Sequence, residues 1–349
     1  MEHCKQLNSI KLSYVENITW QTFQKVMQDC VHLKSINIKG NVKIELSPYI
    51  QLGMDKQDQR ELKEINMKQV RGVSAAQINQ IISNNVNSLE IIKMGDTEFN
   101  LSLLPYENMN DVLPLKKLDL SWCEDCNTKT LINFIKKCPN LLSFKTRACE
   151  YVTNDVILAL ASNCHHLQQV NISRCNNVQD NAIIALAKNN FKTLTSLDIA
   201  WSKCTNESIT VILEFCKKLC ILSMEGCKSS NVIEIETSIL HLDALKHIRM
   251  AWVNSCDDKW AKKVVKAKPN LCIVEYYGEE ICGKLYDDGR RCSTQEEAVL
   301  VPDEMVNNNN MSDSPKLDRF PSLGRLSLLS SVDDVGFDTD YNAYSDDDF

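Results

Sequence analysis

The stretch Cys164–Asn190, CHHLQQVNISRCNNVQDNAIIALAKNN, holds one complete structural unit. Val170 and Ile172 alternate with Gln169, Asn171 and Ser173, the period-two pattern of a half-buried strand. Asp180, or Asn181 beside it, is placed to cap a helix. Ala182, Ile183, Leu186 and Ala187 then give an apolar face at helical spacing. One strand–loop–helix unit cannot bury its own apolar faces, whereas stacked units bury them jointly.

Such units recur along the chain. Aligned on the first apolar residue of L-x-x-L-x-L, they begin at Leu7, Leu33, Leu62, Leu89, Leu115, Leu141, Leu167, Leu194, Leu219, Leu245 and Leu271. The steps are 26, 29, 27, 26, 26, 26, 27, 25, 26 and 26 residues, so eleven repeats span most of the 349 residues. Cys4, Cys30, Cys138, Cys164 and Cys216 each sit three residues before an aligning Leu; Cys123, Cys149, Cys175 and Cys227 each sit eight after one. A free Cys at such places serves as a small buried hydrophobe. Asn41–Arg60 and Thr97–Pro114 lack the helical pattern, which predicts irregular convex sides there.

The spelling C-x-x-L-x-x-L-x-L-x-x-C followed by a helix, best seen in Cys138–Cys149, Cys164–Cys175 and Cys216–Cys227, resembles the cysteine-containing class of leucine-rich repeats. The resemblance covers Met1 to about Gly278 and is carried mostly by F-box/leucine-rich-repeat ubiquitin-ligase receptors, with close relatives that lack an F-box. It implies an α/β fold: a right-handed horseshoe solenoid with a parallel inner sheet and outer helices. It also implies a protein-interaction module, the substrate-recognition part of a Skp-cullin-F-box type ligase that holds a protein substrate on its concave face. The alternative is an F-box-less scaffold or regulator with no ligase role. An F-box would precede the repeats and bind a Skp-type adaptor, but this chain begins six residues before its first aligning Leu. The F-box is therefore expected either to be absent or to lie upstream of Met1. Leu7, Ile10 and Leu12, with Cys4 and the helix residues Phe23, Val26 and Met27, would form an exposed edge at that end.

Composition narrows the function. Hydrophobic content of 44% and charged content of 24% suit a globular chain, and a net charge of −7 argues against nucleic-acid binding. No apolar run approaches the roughly 18 residues of a membrane span. The opening MEHCKQLNSI has no apolar core of a signal peptide, so the sixteen cysteines read as reduced thiols of the cytoplasm or nucleus. The Asn-X-Ser/Thr sequons at Asn17, Asn100, Asn171, Asn206 and Asn310 read as chance matches on the same ground. With ten glycines and no phosphate loop, G-x-S-x-G or H-E-x-x-H, the chain reads as no enzyme and needs no cofactor. His165 and His166 fall at a helix-to-strand return. Cys123 and Cys126 form a C-x-x-C without a second one, and Cys272, Cys282 and Cys292, with Cys256 as a fourth, are irregularly spaced for zinc, so no metal is expected.

Counting from each aligning Leu as position one, positions four and six point inward and three, five and seven outward. Position eight holds Tyr14, Gly40, Gln69, Asp96, Trp122, Ala148, Arg174, Trp201, Gly226, Trp252 and Gly278. Three of the five tryptophans share that column; Trp20 and Trp260 fall at helix positions and read as core. Arg147 at position seven and Arg174 at position eight stand between Trp122 and Trp201, and Lys145, Asp198 and Arg249 occupy position five. Exposed Trp and Arg on a concave sheet are the residue types of an interaction hot spot. The competing reading packs each Trp on its own ascending loop.

The pattern divides the chain into a solenoid with a C-terminal cap, residues 1–292, and an acidic Ser/Asp-rich tail, residues 293–349. From Asp313 onward nine acidic residues face three basic ones, which predicts disorder. Ser314 before Pro315, and Ser345 before Asp346, Asp347 and Asp348, are phosphorylation candidates.

Overall fold

A computed structural model describes residues 6–283 apart from 16–17, 42–60, 72, 106–108, 228–229 and 279. Each repeat opens with a three-residue strand: β1 (Ser9–Lys11), β2 (Ser35–Asn37), β3 (Glu64–Asn66), β4 (Ile91–Lys93), β5 (Lys117–Asp119), β6 (Ser143–Lys145), β7 (Gln169–Asn171), β8 (Ser196–Asp198), β9 (Ile221–Ser223), β10 (His247–Arg249) and β11 (Cys272–Val274). They form one sheet in sequence order, each parallel to the next. A twelfth strand, β12 (Glu280–Cys282), turns back and pairs antiparallel with β11. The sheet is thus parallel throughout except at this last edge.

The returns are helical: α1 (Trp20–Asp29), α2 (Ala75–Asn85), α3 (Thr128–Lys136), α4 (Asn154–Asn163), α5 (Asp180–Asn190), α6 (Asn206–Phe215), α7 (Val232–His241) and α8 (Asp258–Ala267). Between β4 and β5 a 3-10 turn, Leu101–Leu103, replaces an α-helix, as the pattern there predicts. Most of Asn41–Arg60, and Cys4, Ser314, Ser345 and the whole tail, lie outside the described residues.

Polar side chains at the helix starts cap their own helix or reach the next one. Asn127 and Asp257 accept first-turn amides of their own helices. Asp180 does not cap α5. It lies one residue inside that helix, where Gln179 is the N-cap, and its carboxylate accepts the Thr205 amide at 2.8 Å and the Thr205 hydroxyl at 2.9 Å at the start of α6. Asn206 accepts the Asn231 amide at 3.0 Å in the same way.

The aligning leucines form the spine of one continuous core with positions four and six. A fully buried Leu or Ile in such a core contributes about 1.5–3 kcal/mol. Leu7 is the exception, 39% exposed, while the other ten aligning leucines are at most 1% exposed. Ile10, Leu12 and Val26 are half-buried. Phe23 and Met27, expected at that open edge, are instead buried in the common core. Trp260 is buried as expected, its indole N–H donating to Glu236 at 2.9 Å; the Trp20 side chain lies outside the described ones.

The last repeat differs in register. Leucine alignment places Ile248 opposite Val274, but Ile248 faces Ile273 and Arg249 faces Val274. The final unit therefore runs one residue ahead in the sheet, while Gly278, with φ 87°, still supplies its left-handed residue.

Candidate protein-binding face

The column of position eight is a backbone column. From Tyr14 to Trp252, all ten of its residues have φ between 56° and 75°. The chain leaves each strand through a left-handed residue, and the amide of that residue donates to the position-seven carbonyl of the next repeat at 2.6–3.1 Å. Glycine takes this conformation freely, as Gly40 and Gly226 do, whereas a side chain there costs about 1–2 kcal/mol.

Four aromatic residues accept that cost, in different ways. The Tyr14 ring lies against Gly40 and the Trp201 indole against Gly226, so closely that a Cβ on either glycine would collide with the ring. Trp201 is half-buried as a result. Trp122 is 38% exposed, with the Arg147 guanidinium 5.7 Å from its ring centroid. Trp252 is 42% exposed and meets Tyr276 at 5.5 Å, and Tyr276 meets Tyr277, 81% exposed, at 5.2 Å. The column therefore holds two arrangements: Trp201 packs on the rim of the next repeat, and Trp122 and Trp252 present themselves to solvent. Tyr276 and Tyr277 join the face through the register change, which leucine alignment conceals.

The polar residues next to this rim are less exposed than their alternation suggests. Arg147 is buried because the position-seven side chain lies beneath the rim residue of the preceding repeat. Lys145, Arg174 and Arg249 are half-buried. Arg249 donates to Glu225 at 2.6 Å. Asp198 is buried, and its Oδ1 accepts the Ala200 amide two residues on at 3.0 Å. That contact is a repeat feature: Asn37, Asn66, Asp119 and Asn171 accept the equivalent amide at 3.1–3.2 Å. The Asn/Asp spelling of position five is the signal for it. Asp198 therefore serves its own turn and is not displayed for a partner.

Two of these carboxyls carry opposite shifts. Burial alone would push Asp119 up, but Lys68, 3.1 Å away, and Lys145 outweigh it and hold the group below its ordinary value. Burial pushes Asp198 up to about 7, against the Ala200 amide and the Arg147 charge, which pull it down.

The repeat cysteines form a ladder. Cys123, Cys149, Cys175 and Cys227 each direct the thiol at the position-six carbonyl of the preceding repeat, at 3.1–3.5 Å. Burial pushes Cys123, Cys175 and Cys227 up to about 12 and Cys149 to about 11, so they stay protonated and inert. Cys126, the other half of the C-x-x-C, is a free half-buried thiol, and His165 and His166 are exposed. Cys272 and Cys282 are joined in a disulfide, which corrects the expectation of reduced thiols for that pair. Cys256 is free and buried, and Cys292 lies outside the described residues. No described helix is long and apolar enough to cross a membrane.

A family profile described as a leucine rich repeat matches residues 163–187, the unit quoted at the outset. No curated protein matches this sequence. A chain in the crystal structure of the Rad7 and Elc1 complex in yeast is similar over 78% of this chain and 74% of its own, at 18% identity and a TM-score of 0.56. An internalin, inlF of Listeria monocytogenes, aligns over 76% and 86% at 14% identity and a TM-score of 0.43. The strand–helix alternation, the matched repeat and the yeast likeness together make this an α/β leucine-rich-repeat solenoid.

Proposed function

We propose that this solenoid is a recognition module, not an enzyme, and that Trp122 and Trp252 anchor a protein partner on its concave rim. One observation carries the reading. Both tryptophans are exposed at left-handed positions where Gly40 and Gly226 stand at no backbone cost. Backbone strain spent on exposed, partly unpacked aromatics is a feature of binding sites. Tyr277 extends the anchor at Trp252, Arg147 backs Trp122, and Lys145, Arg174 and Arg249 line the face between.

The finer reading is the substrate-recognition part of a Skp-cullin-F-box type ligase acting in the cytoplasm or nucleus. It is supported by the resemblance of the repeat spelling and by a similar yeast structure that is a complex with Elc1. A Skp-type adaptor would then bind an F-box encoded upstream of Met1.

A photo-crosslinking amino acid at position 122 in cells, followed by mass spectrometry, identifies the partner. Against that purified partner, Trp122→Gly and Trp252→Gly are expected to weaken binding by about 30-fold or more, the ~2 kcal/mol of a hot-spot residue, while the thermal midpoint holds. Unchanged affinity in both variants would sink the rim reading. Failure of the natural gene product to co-purify with an adaptor and a cullin would leave recognition intact and remove the ligase role.

A further inference from the structure

Across the last three strands one row of side chains shares the outward face of the sheet. His247 on β10 pairs with Cys272 on β11, and Cys272 pairs with Cys282 on β12. Ile248 and Ile273, next along the same strands, point into the core, which fixes the face. Glu280 lies two residues before Cys282 on β12 and therefore projects to the same side. The donor atoms of His247, Cys272 and Glu280 all lie within 4.8 Å of one another, and the Cys282 sulfur is bonded to that of Cys272. Among the described residues this is the one such cluster of three or more metal-ligating types.

We propose that this row is a thiol-gated zinc site: once the disulfide is reduced, His247, Cys272, Cys282 and Glu280 hold one Zn²⁺. Two thiolates, an imidazole and a carboxylate make a four-donor set of the kind that closes a tetrahedral zinc site. The sulfurs select a thiophilic cation over calcium or magnesium. Zinc bonds of 2.0–2.3 Å require donor spacings of about 3.3–3.8 Å, so the two sulfurs must separate once reduced and the other donors, already within 4.8 Å of one another, must close around the ion. β12 has one neighbour, β11, among the described strands and is the element placed to move. A disulfide on its own calls for no imidazole and carboxylate beside it.

The chemistry balances with a thiol as reductant. Two thiols give up two electrons and two protons to the Cys272–Cys282 bond, leave as their own disulfide, and release two cysteine thiols. Zinc binding then expels those two protons. Oxidation of the thiolates by a disulfide or a diazene oxidant reverses the sequence and releases the cation. Sequence spacing hides the site because His247 stands 25 residues before Cys272, and Glu280 carries no motif.

The test uses the full chain, reduced with a phosphine and stripped with a chelator. Native mass spectrometry during titration with zinc chloride is expected to show one ion per chain. Cobalt in its place should give the thiolate charge-transfer and visible bands of a tetrahedral site. Diamide treatment should abolish binding. Cys282→Ser and His247→Ala should each weaken zinc by more than about 10-fold, since even second-shell losses reach that size, while Cys126→Ser should not. His247 is half-buried, so its variant keeps the test open if Cys282→Ser misfolds. Absence of stoichiometric zinc in the reduced chain, or undiminished affinity in His247→Ala, overturns the proposal.

Discussion

The stretches of concave face around Asp119 and around Asp198 share one construction and differ in charge. Each Asp is buried at position five, and each accepts the amide two residues on. Asn37, Asn66 and Asn171 do that backbone task without a charge. The carboxylate is thus an addition, and its neighbours decide its state. Lys68 and Lys145 surround Asp119. Around Asp198 the cation Arg147 is offset by Glu225, whose own partner is Arg249. The same position in the repeat therefore holds a stabilised anion in one place and an easily protonated acid three repeats on.

Removal of each carboxyl is the strongest way to break this contrast. Asp119→Ala takes away the acceptor of the Ser121 amide and the counter-charge of two lysines, and is expected to cost about 2–4 kcal/mol in urea unfolding at pH 7. Asp198→Ala should cost less than half as much, because it also removes a buried carboxylate that is costly to ionise. Equal losses would mean that the backbone contact alone matters.

The pH dependence sharpens the contrast. Asp198 binds its proton more tightly folded than unfolded, so its contribution is fully present below about 4 and declines as pH rises from its ordinary 3.8 to about 7. Asp198→Asn keeps the amide acceptor and should be more stable than the parent by on the order of 1–2 kcal/mol at pH 8, with the gain vanishing toward pH 4. Asp119 titrates the other way. Its stabilisation is present above pH 3.8 and is lost as pH falls through its lowered folded value, so Asp119→Asn should lose stability at neutral pH. A parallel pH profile for the two Asn variants would contradict the assignment.

The smallest expected effect lies on the rim beside each stretch. Trp201→Gly gives up the indole packed on Gly226 and regains backbone ease, for a net loss of about 1 kcal/mol. Trp122→Gly gives up the ring contact with Arg147 but regains backbone ease, and should fall within about 0.5 kcal/mol of the parent. Matched thermal midpoints for the two would remove the distinction between a packed and a displayed tryptophan.

Much of this architecture was legible in the spacing of leucines and cysteines, because a solenoid repeats its core contacts at a fixed interval. The rim column was legible as a column, and its left-handed backbone was not, since Trp, Arg and Gln conceal what Gly40 and Gly226 disclose. Alternation turns Asp198 outward but gives only the face a side chain takes and not the contact it makes there, which is the Ala200 amide of its own turn. The spacing that offers Asp180 or Asn181 as the cap of α5 does not show that the Asp180 partner lies in the next repeat, at Thr205. Leu271 concealed the final register change, since a leucine one place over still buries itself. His247 and Glu280 were missed because strand pairing, not sequence spacing, brings them to Cys272.

The amide ladder along the rim has a kinetic consequence. Its bonds join residues about one repeat apart, as Trp122 to Arg147 and Trp201 to Glu225, in a chain of 349 residues. That separation corresponds to a relative contact order below about 0.1, the range of helical bundles. A parallel sheet ordinarily forms slowly because its strands must find distant partners, but here each strand finds its partner one loop away. Assembly can start at any well-packed pair of repeats and spread as a zipper in both directions.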